Sequence, residues 1–307
     1  LQVAVNRLVE EGFLEVGPRK MGTRVATCPP HLSRYRLIFP FGPDDWGQFW
    51  HALEAAARQR TAPGREFLCF YGLGGHRDIA EYEDVVSEAR SRRIAGLIFA
   101  SSADELLGTP LIDQPGIPRA AVAGEGKLPG VPKVGLDLDG FIDQAVRHLL
   151  ERGRRRIAIL CANHAQLMHV KFRAAMATHG LETHTRWEHF ASARNPMAAR
   201  HIMELLLQPG RQARPDGLII ADDNLITAAT EGLVAAGARV PAEMSVVALT
   251  NFPNLLPSAV PLTRIGFDIP ALLDLLILRL QQSARGEAPP EYTILPAVIQ
   301  AAKRRTP

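Results

Sequence analysis

The chain has 307 residues and 47% hydrophobic content, enough for about two globular domains with cores of their own. No run approaches the roughly 18 consecutive apolar residues of a membrane span. No N-terminal segment combines a basic end, an apolar block and a small-residue cleavage site, so a cytoplasmic protein with no membrane partner is expected. Three cysteines, Cys28, Cys69 and Cys161, are far apart and in no CxxC spacing, which excludes a disulfide framework and a cysteine zinc site. The net charge of +3 has a location: residues 1 to 36 carry Arg7, Arg19, Lys20, Arg24, Arg34 and Arg36 against Glu10, Glu11 and Glu15. The rest then balances at 29 basic and 29 acidic side chains. The basic excess therefore lies at the N-terminus, where a polyanion would be met.

Leu1, Val5, Leu8 and Val9 share one helical face that stops at Gly12. Phe13 to Val16 leads into the Gly17-Pro18 turn, and Thr23 to Ala26 reads as a returning strand, with Arg19 and Lys20 at the hairpin tip. This stretch resembles the end of a gluconate-repressor-type (GntR) winged helix, through Leu8, Glu11-Gly12, Leu14 and Gly22-Thr23-Arg24-Val25-Ala26. The resemblance implies that residues 1–27 are a partial, truncated winged-helix domain, with roughly 40 further residues upstream, the scale of the smallest folding units. It also implies that Arg19 and Lys20 touch operator DNA in the intact protein. From charge alone, a solvated hairpin tip stays open as the alternative.

Residues 28–36, with Pro29-Pro30, read as an extended linker. The pattern then becomes regular. Strands are predicted at Tyr35–Pro40, Glu66–Gly72, Ala95–Ala100, Arg119–Val122 and Lys133–Asp137, with helices over Asp45–Arg60, Ile79–Arg92 and Asp139–Arg152 and a short one over Ala103–Leu107. A second series runs from the strand Arg156–Cys161 through a helix near Gln166–His179, a strand near Arg186–Phe190 and a helix over Met197–Leu207. Pro215 to Leu249 is a complete βαβ unit: Gly217–Ala221 is apolar, Asp222 to Asn224 interrupts, and Leu225, Ala228, Ala229, Leu233 and Ala236 recur at helical spacing before Gly237. A helix near Ile269–Ser283, with Ala271, Leu272, Leu275, Leu276, Leu278 and Leu280 largely covered, and a strand over Tyr292–Ile299 close the chain. Two βα series of similar size predict an α/β protein with two doubly wound parallel sheets and a cleft between two lobes.

From about Tyr35 onward the chain resembles the lactose/galactose-repressor (LacI/GalR) effector-binding domain, a relative of periplasmic sugar-binding proteins. The residues that carry this are Ile94-Ala95-Gly96-Leu97-Ile98, Asp137 ahead of His148-Leu149, Gly153, Ile157-Ala158, Pro215-Asp216-Gly217, Gly237, Val240-Pro241, Ser245-Val246-Val247 and Pro261-Leu262-Thr263. A winged helix of the first type joined to a sensor of the second resembles the arabinose repressor. The resemblance implies an effector-binding and dimerisation domain over 37–307, with lobe 1 at about 37–155 and 267–285 and lobe 2 at about 156–266 and 289–307. It further implies a homodimeric DNA-binding transcription regulator, a repressor, whose small-molecule effector, a sugar or derivative in the family pattern, is sensed between the lobes.

Ligands of such sheets sit beyond the carboxyl ends of strands, which selects Phe41, Asp44, Asp45 and Trp46, then Ser101 and Ser102, then Asn163 and His164. Phe190 ends another strand, and Asp137 belongs to the matched motif. Asp222 matches a family position that touches effector. Asp44 or Asp45 as a helix cap, with Trp46 over the core, is the alternative for the first group. Two positions depart from the family: Met168 stands where many members carry an Arg that grips sugar hydroxyls, and Thr250 where they carry an Asp. Losing both argues against an ordinary monosaccharide, because buried hydrogen-bonding groups are costly to leave unpaired. It leaves a less polar ligand, no ligand, or one held through His164, His169 and Lys171.

His164, His169, His184 and His189 lack the i, i+4 spacing of two ligands on one helical turn, so no metal site is expected. Asp222-Asp223 at a strand end point to opposite sides, which disfavours an acid–base dyad and suggests Asp223 as a helix cap. The sequence has no GxSxG or GxxxxGK[ST] motif, and Gly72 to Gly75 lacks the rest of a dinucleotide fingerprint. The expectation is a non-enzyme with no cofactor. A solute-binding protein for a transporter, a regulator whose cleft has lost its effector and a small-molecule enzyme on the same fold are the competing readings.

Overall fold

The computed structural model describes residues 1–17, 22–72, 80–124, 128–163, 167–208 and 214–300. It begins with helix α1 (Gln2–Glu10), a hairpin of β1 (Leu14–Val16) and β2 (Thr23–Val25), and a short helix α2 (Pro30–Ser33). The hairpin register pairs Leu14 with Val25 and Val16 with Thr23. Arg19 and Lys20 lie outside the described residues. The stretch expected to be an extended linker is instead ordered chain. Pro29 is the extended residue before α2 and Pro30 takes its first position, where a missing N–H costs nothing, and β3 starts at once at Arg34.

The first of two compact units spans Leu1–Trp46, Leu53–Gly135 and Pro270–Ile294. Its chain runs β3 (Arg34–Ile38), α3 (Gln48–Arg60), β4 (Glu66–Phe70), α4 (Ala80–Arg90), β5 (Gly96–Phe99), α5 (Pro110–Asp113), β6 (Arg119–Val122) and β7 (Lys133–Leu136). The strands from β3 to β7 pair in parallel, each buried run such as Gly96–Phe99 covered on both faces, as crossover helices require. Val85, Val86, Leu97, Phe99 and Leu111 form part of its core.

The second unit takes Gly47–Ala52, Leu136–Ile269 and Leu295–Pro307. It holds α6 (Leu138–Glu151), β8 (Ile157–Ala162), α7 (Leu167–Thr178), β9 (Glu188–Ala191), α8 (Met197–Leu206), β10 (Gly217–Ile220), α9 (Ile226–Ala235), β11 (Ser245–Phe252) and β12 (Thr263–Asp268). Then α10 (Ile269–Ala284) and β13 (Tyr292–Leu295) return to the first unit, and β14 (Val298–Ile299) pairs antiparallel with β12. Helix α6, expected with the first lobe, belongs to the second unit: Phe141, Ile142, Ala145, Val146 and Leu149 make a fully buried face.

Two further features differ from the sequence reading. The strand expected over 292–299 is two strands in two different sheets, because Pro296 has no N–H to continue a ladder. Leu278 of α10 is 41% exposed, whereas Leu272, Leu276 and Leu280 are buried.

Among the described residues the two six-stranded sheets run β13-β7-β6-β5-β3-β4 and β14-β12-β11-β10-β8-β9. In each unit the first strand of the series is flanked by the second on one side and the third on the other. The order therefore reverses between β3 and β5 and again between β8 and β10. Connections leave opposite faces at such a point and open a crevice at the carboxyl ends of the two strands.

Candidate functional site

In the first unit, the segments that follow β3 and β5 carry the predicted Phe41, Asp44, Asp45 and Trp46 and the predicted Ser101 and Ser102. The two strands are direct neighbours, with Ile38 opposite Phe99. Asp44 and Asp45 are exposed on a single turn, Pro43–Asp45, ahead of α3. Trp46 lies half-buried with its ring 4.2 Å from that of Phe39, and its Nε1–H donates to the Phe41 carbonyl at 2.8 Å. Tyr71, just past β4, joins them at 5.4 Å from Trp46. Its hydroxyl donates to Glu54 at 2.6 Å, and Arg58 donates to the same carboxylate oxygen. Burial and that bond to Glu54 push the Tyr71 hydroxyl well above the usual phenol range. Ser102 donates to Asp104 at 2.6 Å. Sequence reasoning missed Phe39 and Tyr71, although their positions at the ends of β3 and β4 follow the same strand-end rule.

In the second unit, Asn163 follows β8, Asp222 follows β10 and Thr250 lies near the end of β11, on three adjacent strands. His164 lies outside the described residues. Asp222, not Asp223, caps the turn: its Oδ1 accepts from the backbone N–H of Asn224 at 2.9 Å and from the Asn224 side chain at 2.7 Å. Asp223 turns into the protein, 3% exposed, and accepts from Asn251 at 2.8 Å. Burial, then the neighbouring Asp222, raises its carboxyl to about 7. Burial also lifts the Cys161 thiol to about 12, with Asp222 and Glu188 adding to it, so this cysteine is an inert apolar group.

Thr250 is fully buried. Its Oγ1 faces the Ala248 carbonyl and Arg264, each at 3.5 Å. Arg264, on β12, also donates to the Leu256 carbonyl. Neither Arg264 nor β12 was read from the sequence, although an arginine inside an apolar strand is itself a signal of a partner. Met168, on α7, is buried as well. The next residue on α7, His169, is stacked face to face on Phe190 at 3.8 Å, with Phe190 40% exposed on the edge strand β9. The His169 Nδ1 lies 3.1 Å from Glu188, which also accepts from Arg173. Lys171 pairs with Asp139 at 2.6 Å, away from these residues in role. Asp137 caps α6, its Oδ1 accepting from Gly140 N–H at 2.8 Å. Among the described residues, no three His, Cys, Asp or Glu side chains converge on a metal position, and no helix is long and apolar enough to cross a membrane. A notch lined by Arg156, Asp216, Gly237, Arg239 and Glu243 lies at the amino ends of β8, β10 and β11. Two of its arginines are already paired, as Arg156–Asp216 and Arg239–Glu243, and it lies away from the strand ends at which sheets of this kind bind ligands, so the carboxyl edge is the stronger candidate.

A model of the periplasmic binding protein-like domain matches residues 146–306. Among solved structures, a LacI family transcriptional regulator from Lactobacillus casei with bound glucose is 19% identical, with a TM-score of 0.64 over 88% of this chain and 98% of that one. The same regulator with bound sucrose gives 20% identity and a TM-score of 0.64, over 88% of this chain and 98% of that one. A regulatory protein of LacI family from Chloroflexus aggregans gives 20% identity and a TM-score of 0.67, covering 86% and 96% of the two chains. These likenesses establish the α/β fold of two units with parallel sheets. No curated protein sequence matches the chain.

Proposed function

The chain belongs to the periplasmic binding protein-like domain family, and on that premise we propose that it is the effector-sensing part of a DNA-binding transcription regulator, a repressor. The observation that carries this reading is the repeated strand order. Phe41, Asp44, Asp45, Trp46, Ser101 and Ser102 follow β3 and β5, and Asn163 and Asp222 follow β8 and β10, the strands where the order reverses and at whose carboxyl ends sheets of this kind bind ligands. The structural likeness to LacI family regulators supports it. The effector-binding and dimerisation part is residues 37–307, with Phe41, Asp44, Asp45, Trp46, Ser101, Ser102, Asn163, Phe190 and Asp222 as its contacts. Residues 1–27 are the end of a GntR-type winged helix, for which the helix followed by a hairpin and the local basic excess speak. Arg19 and Lys20 then meet operator phosphates or the minor groove in the intact protein. Effector preference for one conformation of a homodimer alters the spacing of its two DNA-binding heads.

A regulator that has lost its effector is the second reading, favoured by Met168 and Thr250, whose side chains are both buried. A thermal-shift screen of the chain against sugars, sugar acids, nucleosides and amino acids separates the two, since a ligand held only by the native state raises the melting temperature. A concentration-dependent rise for one class, lost in Asp222→Ala, supports sensing. No response to any class favours the second reading.

A further inference from the structure

We infer that the first unit carries a DNA contact of its own: the turn after α4, with Arg90, Arg92 and Arg93, meets duplex phosphates beside the N-terminal hairpin. This rests on the DNA-binding reading above and adds a surface to it. The Arg92 N–H donates to the Ala89 carbonyl at 3.1 Å and the Arg93 N–H to the Glu88 carbonyl at 2.9 Å, the pair of bonds that closes a helix on a left-handed residue. Arg92 holds that place with a φ of 53°. Among the described residues, α1, α6, α7, α9 and α10 close through the same pair of bonds, and each has a glycine there. A side chain at such a φ is strained, so Arg92 costs stability that a glycine would not. The carboxyl end of a helix favours cations, which suits Arg90. It does not account for a long cation at the one position where glycine is the ordinary residue.

These cations have no counter-charge. Arg90 and Arg92 are exposed, and among the described residues neither guanidinium has a hydrogen bond or ion pair. Arg93 reaches only the hydroxyls of Ser91 at 2.8 Å and Ser87 at 3.5 Å. The nearest acid in the sequence, Glu88, is held through both oxygens by Arg36, and no Asp or Glu occurs over residues 89–103. Placement supplies the partner. The Ala95 N–H donates to the Arg34 carbonyl at 2.6 Å, and Arg34 directly follows α2. Helix α2 packs in turn on the hairpin segment: His31 stacks on Phe13 at 5.7 Å, and a Cβ at Gly12 would stand 3.5 Å from Pro30 Cγ. The arginine turn and the helix with its hairpin therefore share the amino edge of this sheet, opposite the carboxyl edge that holds Phe41 and Ser101. A duplex held by the hairpin brings a dense row of phosphates to that edge, and exposed unpaired arginines meet phosphates without reading bases.

The test measures binding of the full chain to a short fluorescent duplex of mixed sequence by anisotropy, in salt from about 50 to about 200 mM. The combined variant Arg90→Ala, Arg92→Gly, Arg93→Ala should bind about tenfold more weakly or worse at the lower salt. Its plot of log affinity against log salt should be shallower by about 2 to 3, since each phosphate contact contributes about 0.9. Arg92→Gly alone should weaken binding while its melting temperature holds or rises, whereas an arginine kept for structure alone would leave binding unchanged. Melting temperatures of all variants show that they fold. If the combined variant keeps the affinity and salt slope of the parent while Arg19→Ala, Lys20→Ala loses them, the contact is overturned and the DNA-binding reading stands. If the parent chain binds no duplex, the contact is overturned and DNA binding by this chain goes with it, and the effector screen decides sensing separately.

Discussion

Asn251 reaches from β11 to Asp223, its side-chain N–H donating to the buried carboxyl at 2.8 Å. Burial holds that carboxyl at about 7, against an ordinary 3.8. Between those two values the folded chain keeps a proton that the unfolded chain has lost. Stability from this group is therefore greatest below about pH 4, falls as pH rises to 7, and is level beyond. Asp223→Asn keeps an acceptor for Asn251 and removes the charge. Urea unfolding should show the variant more stable than the parent by a few kcal/mol at pH 8 and nearly equal at pH 4. Equal differences at both pH values would mean that Asp223 titrates normally.

Arg36 tests the cost of a stranded charge. It is 2% exposed on β3, pairs in a bidentate fashion with Glu88 of α4, and lies over the Phe70 ring at 5.3 Å. Glu88→Ala leaves a guanidinium buried without its counter-charge, and a loss of about 3 kcal/mol is expected. By contrast, Arg24–Glu15 on the hairpin is solvent-exposed, and Glu15→Ala should change stability by less than about 1 kcal/mol. Chemical denaturation of the two variants side by side measures the difference.

Gly232 shows where a helix pair has no room to spare. A Cβ at that position would stand 2.4 Å from the Arg200 carbonyl oxygen and 2.9 Å from its Cα, so α8 and α9 touch backbone to backbone there. Backbone cannot rotate away as a side-chain tip can. Gly232→Ala should cost about 2 kcal/mol or more in spite of the better helix propensity of alanine. An unchanged melting temperature would show that the helices can separate freely.

Much of this architecture is legible without coordinates because the sequence repeats one physical pattern. Arg119–Val122 and Met197–Leu206 fall where alternation and helical spacing set them, and Gly153 marks the end of α6, whereas Asp137, expected among the effector contacts, caps the start of that helix. Thr263–Asp268 escaped because Arg264 and Asp268 hide a strand whose centre, Ile265 to Phe267, is buried. Pro296 was a readable stop inside an apparent strand. At the site, the strand-end rule finds positions but not orientations: it cannot say that Asp222 caps while Asp223 points inward, nor that the Thr250 hydroxyl is turned away from solvent. Those depend on partners such as Asn251 and Arg264, distant in sequence.

Glu188 and His169 supply the last expectation. The carboxylate is buried to 3% and accepts from Arg173 while lying 3.1 Å from the imidazole Nδ1. Burial lowers the His169 value below the usual 6.5, and Glu188 opposes that by favouring the charged ring. Because the folded value is depressed, the neutral ring is the folded form near neutral pH, and stability from this group is lost as pH falls below about 6.5. Glu188→Gln removes the opposing charge and should push the His169 titration lower still, weakening the fold further at pH 5 than at pH 8. Imidazole proton shifts followed by NMR across pH 4 to 8 measure it directly. A His169 titration moved upward in Glu188→Gln would contradict the assignment of Glu188 as the stabilising partner of the charged ring.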